Sequence, residues 1–271
     1  MISLKLQQEL RLKYNPDGSD LRKYQLRLLE ILKFIDSICK KHKIKYWLSS
    51  GTCLGAVRHK GFIPWDDDVD IEMLPSDYTR FCNILKHMES SQFALQTYET
   101  DKEYVAPFGK VRDVNSLIKE NNLNDLRYKY KGFYVDVFPV YYSSSRIIAR
   151  ITGIIQYNLL HRMALINNNR IRRFAIALNH FLVTNIIFSP LMLISRINCQ
   201  NKIRIGGLGS AFLKRYDYKC IENLIDWEFE GCYFPIPKGY DEYLSNLYGN
   251  YMTLPDLENI HPHITSLKFS K

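Results

Sequence analysis

The sequence predicts an α+β fold: a small mixed sheet with helical cover and a helical, basic insertion. Three observations lead there. Residues 21–42 repeat apolar side chains at helical spacing, several short runs between 46 and 141 have strand character, and residues 146–216 hold eleven Lys and Arg but no Asp or Glu. With 271 residues and 46% apolar content the chain can bury a full core. The six cysteines are scattered with no CxxC pair, so neither a disulfide framework nor a zinc knuckle is signalled. Polar side chains interrupt every apolar stretch of MISLKLQQELRLKYNPDGSD, so no hydrophobic leader is read and a cytoplasmic protein is expected.

Residues 1–45 are expected to form an N-terminal helical region that packs on the core. Leu21, Tyr24, Leu28, Leu32, Ile35 and Ile38 line one helical face, and NPDGSD before them supplies a turn and capping side chains. Residues 46–145 read as the central domain. Its first strand, over 46–50, turns at Gly51 into a short helix over 52–58. The run 68–74, DVDIEML, alternates carboxylate and apolar side chains with period two, as a strand with one polar face does. Pro75 and Ser76 end it and open a helix through about Glu89. Further strands are expected over 93–98, 110–114 and 134–141. Residues 146–216 read as the basic, apolar helical insertion. Within it 174–195 has no charged residue, although Asn179, His180, Asn185 and Pro190 interrupt it. Residues 217–271, with Trp227 and the stretch FPIPKGY, read as helices and loops that complete the core.

On an extended chain Asp66, Asp68, Asp70 and Glu72 share one face, with neighbours roughly 7 Å apart. Carboxylates that close repel one another unless water or a cation compensates. A hard divalent metal is the usual compensation where phosphate is handled, because carboxylate and phosphate oxygens together fill its shell. Asp136 stands by itself in the apolar run YVDVF and needs a partner. Two readings stay open on these residues. One is a metal site; the other is a solvent turn at Asp66 and Asp67, a wet face at Asp68 and Asp70, and an ion pair at Asp136.

The segment 46–73, YWLSSGTCLGAVRHKGFIPWDDDVDIEM, resembles the signature of the LicD family, in which a Gly-Thr turn, an Arg-His-Lys-Gly stretch and a Pro-Trp-Asp-Asp-Asp run lead into an acidic strand. FGKVRD at 108–113, FYVDVFP at 133–139 and LYGNYMTLP at 247–255 followed by His261 are similar to later family segments, so the resemblance spans most of the chain outside 146–216. It implies a nucleotidyltransferase-like fold, with Gly51 and Thr52 as the turn, Asp68 and Asp70 as the paired metal ligands and Asp136 as the third. It also implies a transferase that moves a substituted phosphate, phosphocholine or similar, from a CDP-linked donor. The acceptor would be a sugar hydroxyl of a cell-surface glycan or a lipid-linked oligosaccharide precursor, and the cofactor Mg²⁺ or Mn²⁺.

On that reading Asp136 also orients and deprotonates the acceptor hydroxyl. Ser50, Gly51 and Thr52 offer N–H and hydroxyl donors to the donor phosphates, since a turn before a helix N-terminus is an anion site. Arg58, His59 and Lys60 either clamp phosphate or form a solvated basic cluster. Lys110 and Arg112 alternate onto one strand face, where they meet the phosphates or neutralise the acidic strand. Trp65 is expected in the core and His261 in a structural role.

Outside 146–216 the chain holds 26 basic and 28 acidic residues, so the net charge of +9 belongs to that segment. It reads as a membrane span over 174–195, as Arg-rich helices lying on an anionic membrane face, or as an ordinary helical cover. The second reading suits a lipid-linked acceptor and an enzyme at the inner face of the membrane. Nucleic acid is disfavoured as a partner, because aliphatics rather than aromatics interleave the basic residues. The competing classes are a DxD-type glycosyltransferase, a nucleotidyltransferase acting on RNA or a small molecule, and a scaffold without activity. Three retained, mutually repelling carboxylates speak against the last.

Overall fold

The computed structural model describes residues 2–88, 92–120, 127–142, 145–197, 199, 201–206, 208–210, 212–257 and 264–269. Helices α1 (Leu4–Tyr14) and α2 (Asp20–His42) come first. The Ser19 hydroxyl caps α2 by accepting from the Arg22 N–H at 3.2 Å, and Lys43, at φ 52°, ends it in the left-handed region. Then follow β1 (Trp47–Leu48), α3 (Ser50–His59), β2 (Asp70–Met73), α4 (Pro75–Lys86), β3 (Phe93–Gln96), β4 (Gly109–Asp113), β5 (Ser116–Glu120) and β6 (Tyr134–Tyr142). Helix α5 (Arg146–Ala164) precedes α6 (Asn169–His180), which runs through a π-helical stretch, Phe181–Phe188, into α7 (Ser189–Arg196). Strands β7 (Lys202–Ile205) and β8 (Tyr216–Asp217), helix α8 (Lys219–Glu222), strands β9 (Leu224–Phe229) and β10 (Cys232–Pro237), helix α9 (Tyr240–Tyr248) and strand β11 (Ile264–Phe269) follow.

The main sheet runs β1-β2-β6-β4-β3, with β7 added to β6 and β8 to β7. Only β2 and β6 pair in parallel, which needs a crossover; α4, β3, β4 and β5 are made before the chain returns as β6. Helix α2 packs across β4 and β6 and buries Tyr24, Leu28, Leu32 and Ile35 in the same core as Val111, Val135 and Val137. Its apolar stripe is the one the sequence periodicity predicts.

Three expectations need correction. Strand β2 starts at Asp70 instead of 68, because the backbone before it is diverted: Gln25 Nε2 on α2 donates to the Asp66 carbonyl at 2.9 Å. Asp66 and Asp68 therefore sit in the irregular segment ahead of the strand. Within 146–216, assigned to the helical insertion, Lys202–Ile205 and Tyr216 belong to the sheet as β7 and the start of β8. The region after 217, read as helices and loops, contains the β9–β10 hairpin. Glu230 and Gly231 turn it with φ 52° and 71°, the two-residue geometry that matches strand twist. Pro235 and Pro237 are tolerated because each strand of a two-stranded ribbon has a free edge.

That turn is tied to the rest of the chain. Glu230 meets Arg22 NH2 at 2.5 Å and accepts from the Phe62 N–H at 3.1 Å, with both charged side chains mostly buried. Glu230→Ala leaves a buried guanidinium without its counter-charge and should cost about 3–5 kcal/mol in urea unfolding. An Arg22→Met, Glu230→Leu pair should recover most of that loss, and a Glu230→Ala midpoint equal to the parent's would remove this tie from the fold's energetics.

Candidate active site

Sheet register sets three charged residues in one row. Asp70 of β2 pairs with Asp136 of β6, and Asp136 pairs with Lys110 of β4. Adjacent strands lie about 4.8 Å apart, so the two carboxylates are neighbours. Lys110 Nζ reaches Asp136 Oδ1 at 3.0 Å and lies 3.2 Å from the centre of the Tyr134 ring. The backbone around Asp70 is held on both sides: its N–H donates to Thr52 Oγ1 at 2.8 Å, and its carbonyl accepts from the Ser49 N–H at 3.0 Å.

Glu72 lies on the same face of β2 as Asp70, but deeper and wholly buried. It accepts from Trp47 Nε1 at 2.9 Å, from the Tyr243 hydroxyl at 2.8 Å and from the Tyr216 hydroxyl. Burial pushes its carboxyl above the usual range, while those donors act to hold it down. Tyr243 also accepts from the Ser50 N–H at 3.0 Å, so the start of α3 is fastened to α9 through the same buried acid.

Above this anchor a cavity of about 440 Å³ opens, lined by Ser50, Gly51, Asp66, Asp68 and Asp70 on one side and by Phe212, Lys214, Leu247 and Tyr248 among others. Helix α3 points its N-terminus at the cavity; Ser49 makes no side-chain cap there, and of the first N–H groups that of Ser50 is taken by Tyr243. A Cβ at Gly51 would lie 3.0 Å from Asp66 Oδ2, so any larger residue there presses on that carboxylate. Burial raises the Asp70 carboxyl well above its ordinary range, and Asp68, Asp136 and Asp66 raise it further against the opposing pull of Lys110. Asp66 is raised likewise, by burial and then by Asp68 and Asp67. The Tyr248 phenol, 45% exposed, is also held protonated, by enclosure and by Asp70, Asp66 and Asp68.

Among the described residues no three of Asp, Glu, His and Cys already stand together as a set able to hold a metal ion. Asp136 is turned to Lys110 and does not line the cavity. The chemistry of the donor set nevertheless fits a hard dication. Carboxylate oxygens only, raised by one another's charge, face an open space in which phosphate oxygens can complete a coordination shell.

Other expected site residues are spent elsewhere. Arg58 is buried, donating to the carbonyls of Tyr251 at 2.8 Å and Thr253 at 3.2 Å and through Nε to His59 Nε2 at 2.8 Å. His59 places Nδ1 2.6 Å from Gln7 Oε1; burial and Arg58 push its pKa down to about 3, so the ring is neutral. Lys60 pairs with Glu228 at 2.9 Å. This trio ties the C-terminal segment and α1 to α3 rather than clamping phosphate. Arg112 is buried, donating to Gln96 Oε1 at 2.6 Å and the Gly132 carbonyl at 2.8 Å. Thr52 is buried and positions Asp70, leaving Ser50 and Gly51 at the cavity wall. Trp65 packs edge-on against Tyr14 as expected of a core residue, and His261 falls outside the described residues. Sequence reasoning missed Tyr248 and Lys214 as wall residues; the segment 247–255 and the basic run carried both, but nothing in either showed which face would turn inward.

The chain matches, over residues 43–158, the family model described as LicD/FKTN/FKRP, nucleotidyltransferase domain. It is 29% identical over 266 residues to the lipopolysaccharide cholinephosphotransferase LicD of Haemophilus influenzae, covering 90% of this chain and 95% of that protein. Shorter stretches match an uncharacterized Rickettsia prowazekii protein, RP689 (42% over 77 residues, 28% of this chain and 29% of that one), and the mouse ribitol-5-phosphate transferase FKTN (39% over 59 residues, 22% and 13%).

An acid whose folded pKa is raised binds its proton more tightly when folded, so its contribution to stability declines as pH climbs above the ordinary carboxylate range. Asp70→Asn should therefore raise the melting temperature at pH 7.5, by roughly 2–4 °C per kcal/mol gained, with the advantage vanishing near pH 4. Calorimetry across that range checks it; a variant less stable than the parent at pH 7.5 would mean that Asp70 is not a buried, uncompensated charge.

Proposed function

We propose that this protein is a metal-dependent phosphotransferase of nucleotidyltransferase-like fold that moves a substituted phosphate, phosphocholine or similar, from a CDP-linked donor to a sugar hydroxyl of a cell-surface glycan or its lipid-linked precursor. The observation that carries the reading is the row of Asp70 and Asp136 in register beside a cavity that also holds Asp66, Asp68 and the N-terminus of α3. The match of residues 43–158 to the family model and the relatives named as phosphate-group transferases support it.

Asp68 and Asp70 would hold Mg²⁺ or Mn²⁺, with Asp136 as the third carboxylate once it leaves Lys110. The ion would neutralise donor diphosphate charge. Gly51 presents its backbone N–H and Ser50 its hydroxyl to the donor phosphates. Asp136 orients the acceptor hydroxyl and takes its proton. The nucleoside monophosphate leaves opposite the attacking oxygen.

Asp68→Ala, Asp70→Asn and Asp136→Asn should each lower turnover on the order of 10³-fold or more. The assay is release of CMP from CDP-choline with a glycan acceptor and Mg²⁺. Full activity in Asp68→Ala would sink the assignment, and release of CDP in place of CMP would indicate sugar transfer.

The insertion supports a site of action at the inner membrane face. The 26-residue helical run Asn169–Ile194 is long and apolar enough to cross a membrane, and little of it is buried. Ile147, Phe174, Phe181 and Leu193 are exposed, as are Arg146, Arg150, Arg162, Arg170, Arg173 and Arg196. Exposed aliphatics interleaved with arginines suit peripheral contact with anionic lipid. The purified chain should co-sediment with phosphatidylglycerol vesicles and be released as salt rises, while oligonucleotides bind weakly; tight oligonucleotide binding with no vesicle binding would reverse that preference.

A further inference from the structure

A second cavity, of about 350 Å³, lies between the helical insertion and the sheet, and no Asp, Glu, Lys or Arg lines it. Ala106 and Pro107 wall it from the loop before β4, Phe188 and Met192 from the long helix, and Leu208 from the turn after β7. Gln156 of α5 also lines it and is 8% exposed. The wall includes Thr184 and Phe188 of the π-helical stretch, a geometry found mostly at functional sites. Phe188 can pack there because Gly209 has no side chain: a Cβ would lie 2.5 Å from its ring.

The two cavities share a partition. Ile205, Phe212 and Lys214 face the acidic cavity, while Gly206, Leu208 and Gly209 face the apolar one. The helices that build the apolar cavity are the same ones that expose Phe174, Phe181 and Leu193 to solvent. Its size falls in the range of ligand sites, about 300–1,000 Å³. Tyr141, His180, Thr184 and Ser189 add polar groups to the wall, but with no Lys, Arg, Asp or Glu the lining offers a phosphate headgroup no fixed counter-charge, and its apolar side chains accept a hydrocarbon chain.

We propose that this cavity binds the apolar chain of a lipid, and so holds a lipid-carried acceptor against the acidic cavity. Only the last clause rests on the phosphotransfer reading. The chain could belong to a polyprenyl carrier or to a membrane phospholipid, which offer the same hydrocarbon chemistry.

The test uses the full chain, titrated calorimetrically with n-alkanols from hexanol to dodecanol, without donor or metal. One saturable site is expected, tightening about fourfold per added methylene. Thr184→Trp, on an exposed helix position at the cavity wall, and Ala106→Phe should each weaken octanol at least tenfold. Absence of saturable binding, or binding unchanged in every variant that folds, overturns the proposal. Displacement of bound dodecanol by farnesol would assign the chain to a polyprenyl carrier, displacement by dihexanoyl phosphatidylglycerol to a membrane lipid, and displacement by neither also overturns it. Because no step uses a nucleotide, alkanol binding can hold while every CDP-linked donor fails to bind, and the reverse result would leave phosphotransfer standing without this cavity.

Discussion

The register of β2 against β6 and of β6 against β4 is the constraint on which the rest depends, because it brings Asp70, Asp136 and Lys110 side by side. Slipping β2 by one residue would turn Asp70 into the core and Ile71 to the cavity, and the acidic site would be lost at once. The register is held from below by Glu72, which accepts from Trp47 on β1, from Tyr216 on β8 and from Tyr243 on α9. Tyr243 in turn holds the Ser50 N–H, so the acidic strand and the α3 N-terminus are set by the same buried carboxyl.

The site is costly as it stands. Asp66 and Asp70 are raised by burial and by neighbouring carboxylates, and Lys110, paired with Asp136, offsets only part of that at Asp70. Such unrelieved repulsion is the usual signature of a place where charge is to be met by a ligand rather than by the protein's own side chains. The Arg58, His59 and Lys60 cluster shows the converse. Its polar groups are satisfied by backbone carbonyls, Gln7 and Glu228, and it functions as a strap that fastens the chain's two ends to α3.

Much of the positive charge divides by position. Arg172, Arg204, Lys202 and Lys214 of the basic segment are committed to partners within the chain: Arg172 to Glu103, Arg204 to the Ser145 carbonyl, Lys202 to Asp217 and Lys214 to the Leu247 carbonyl. Arg146, Arg150, Arg162, Arg170, Arg173 and Arg196 are exposed on the helices among aliphatic side chains. One segment thus supplies a wall of the acidic cavity, a wall of the apolar cavity and a basic, apolar outer surface.

Local pattern determined the elements whose neighbours in sequence decide them. The stripe of α2, its Ser19 cap, the Pro75 start of α4 and the strand nature of 134–142 follow from periodicity and from side chains within a turn of each other. The acidic residues and the Gly51 turn were legible for the same reason. What only the tertiary structure decided is which of the polar residues near them face the cavity. Arg58, Thr52 and Arg112 have the right chemistry to bind phosphate, and each is instead claimed by a carbonyl, amide or side chain distant in sequence. Tyr248 and Lys214 reach the cavity from 180 or more positions after Gly51 in one case, and from the end of the basic segment in the other. A polar side chain bonds whichever partner folding brings within about 3 Å, and that distance is set by packing across the whole chain, which no local pattern encodes.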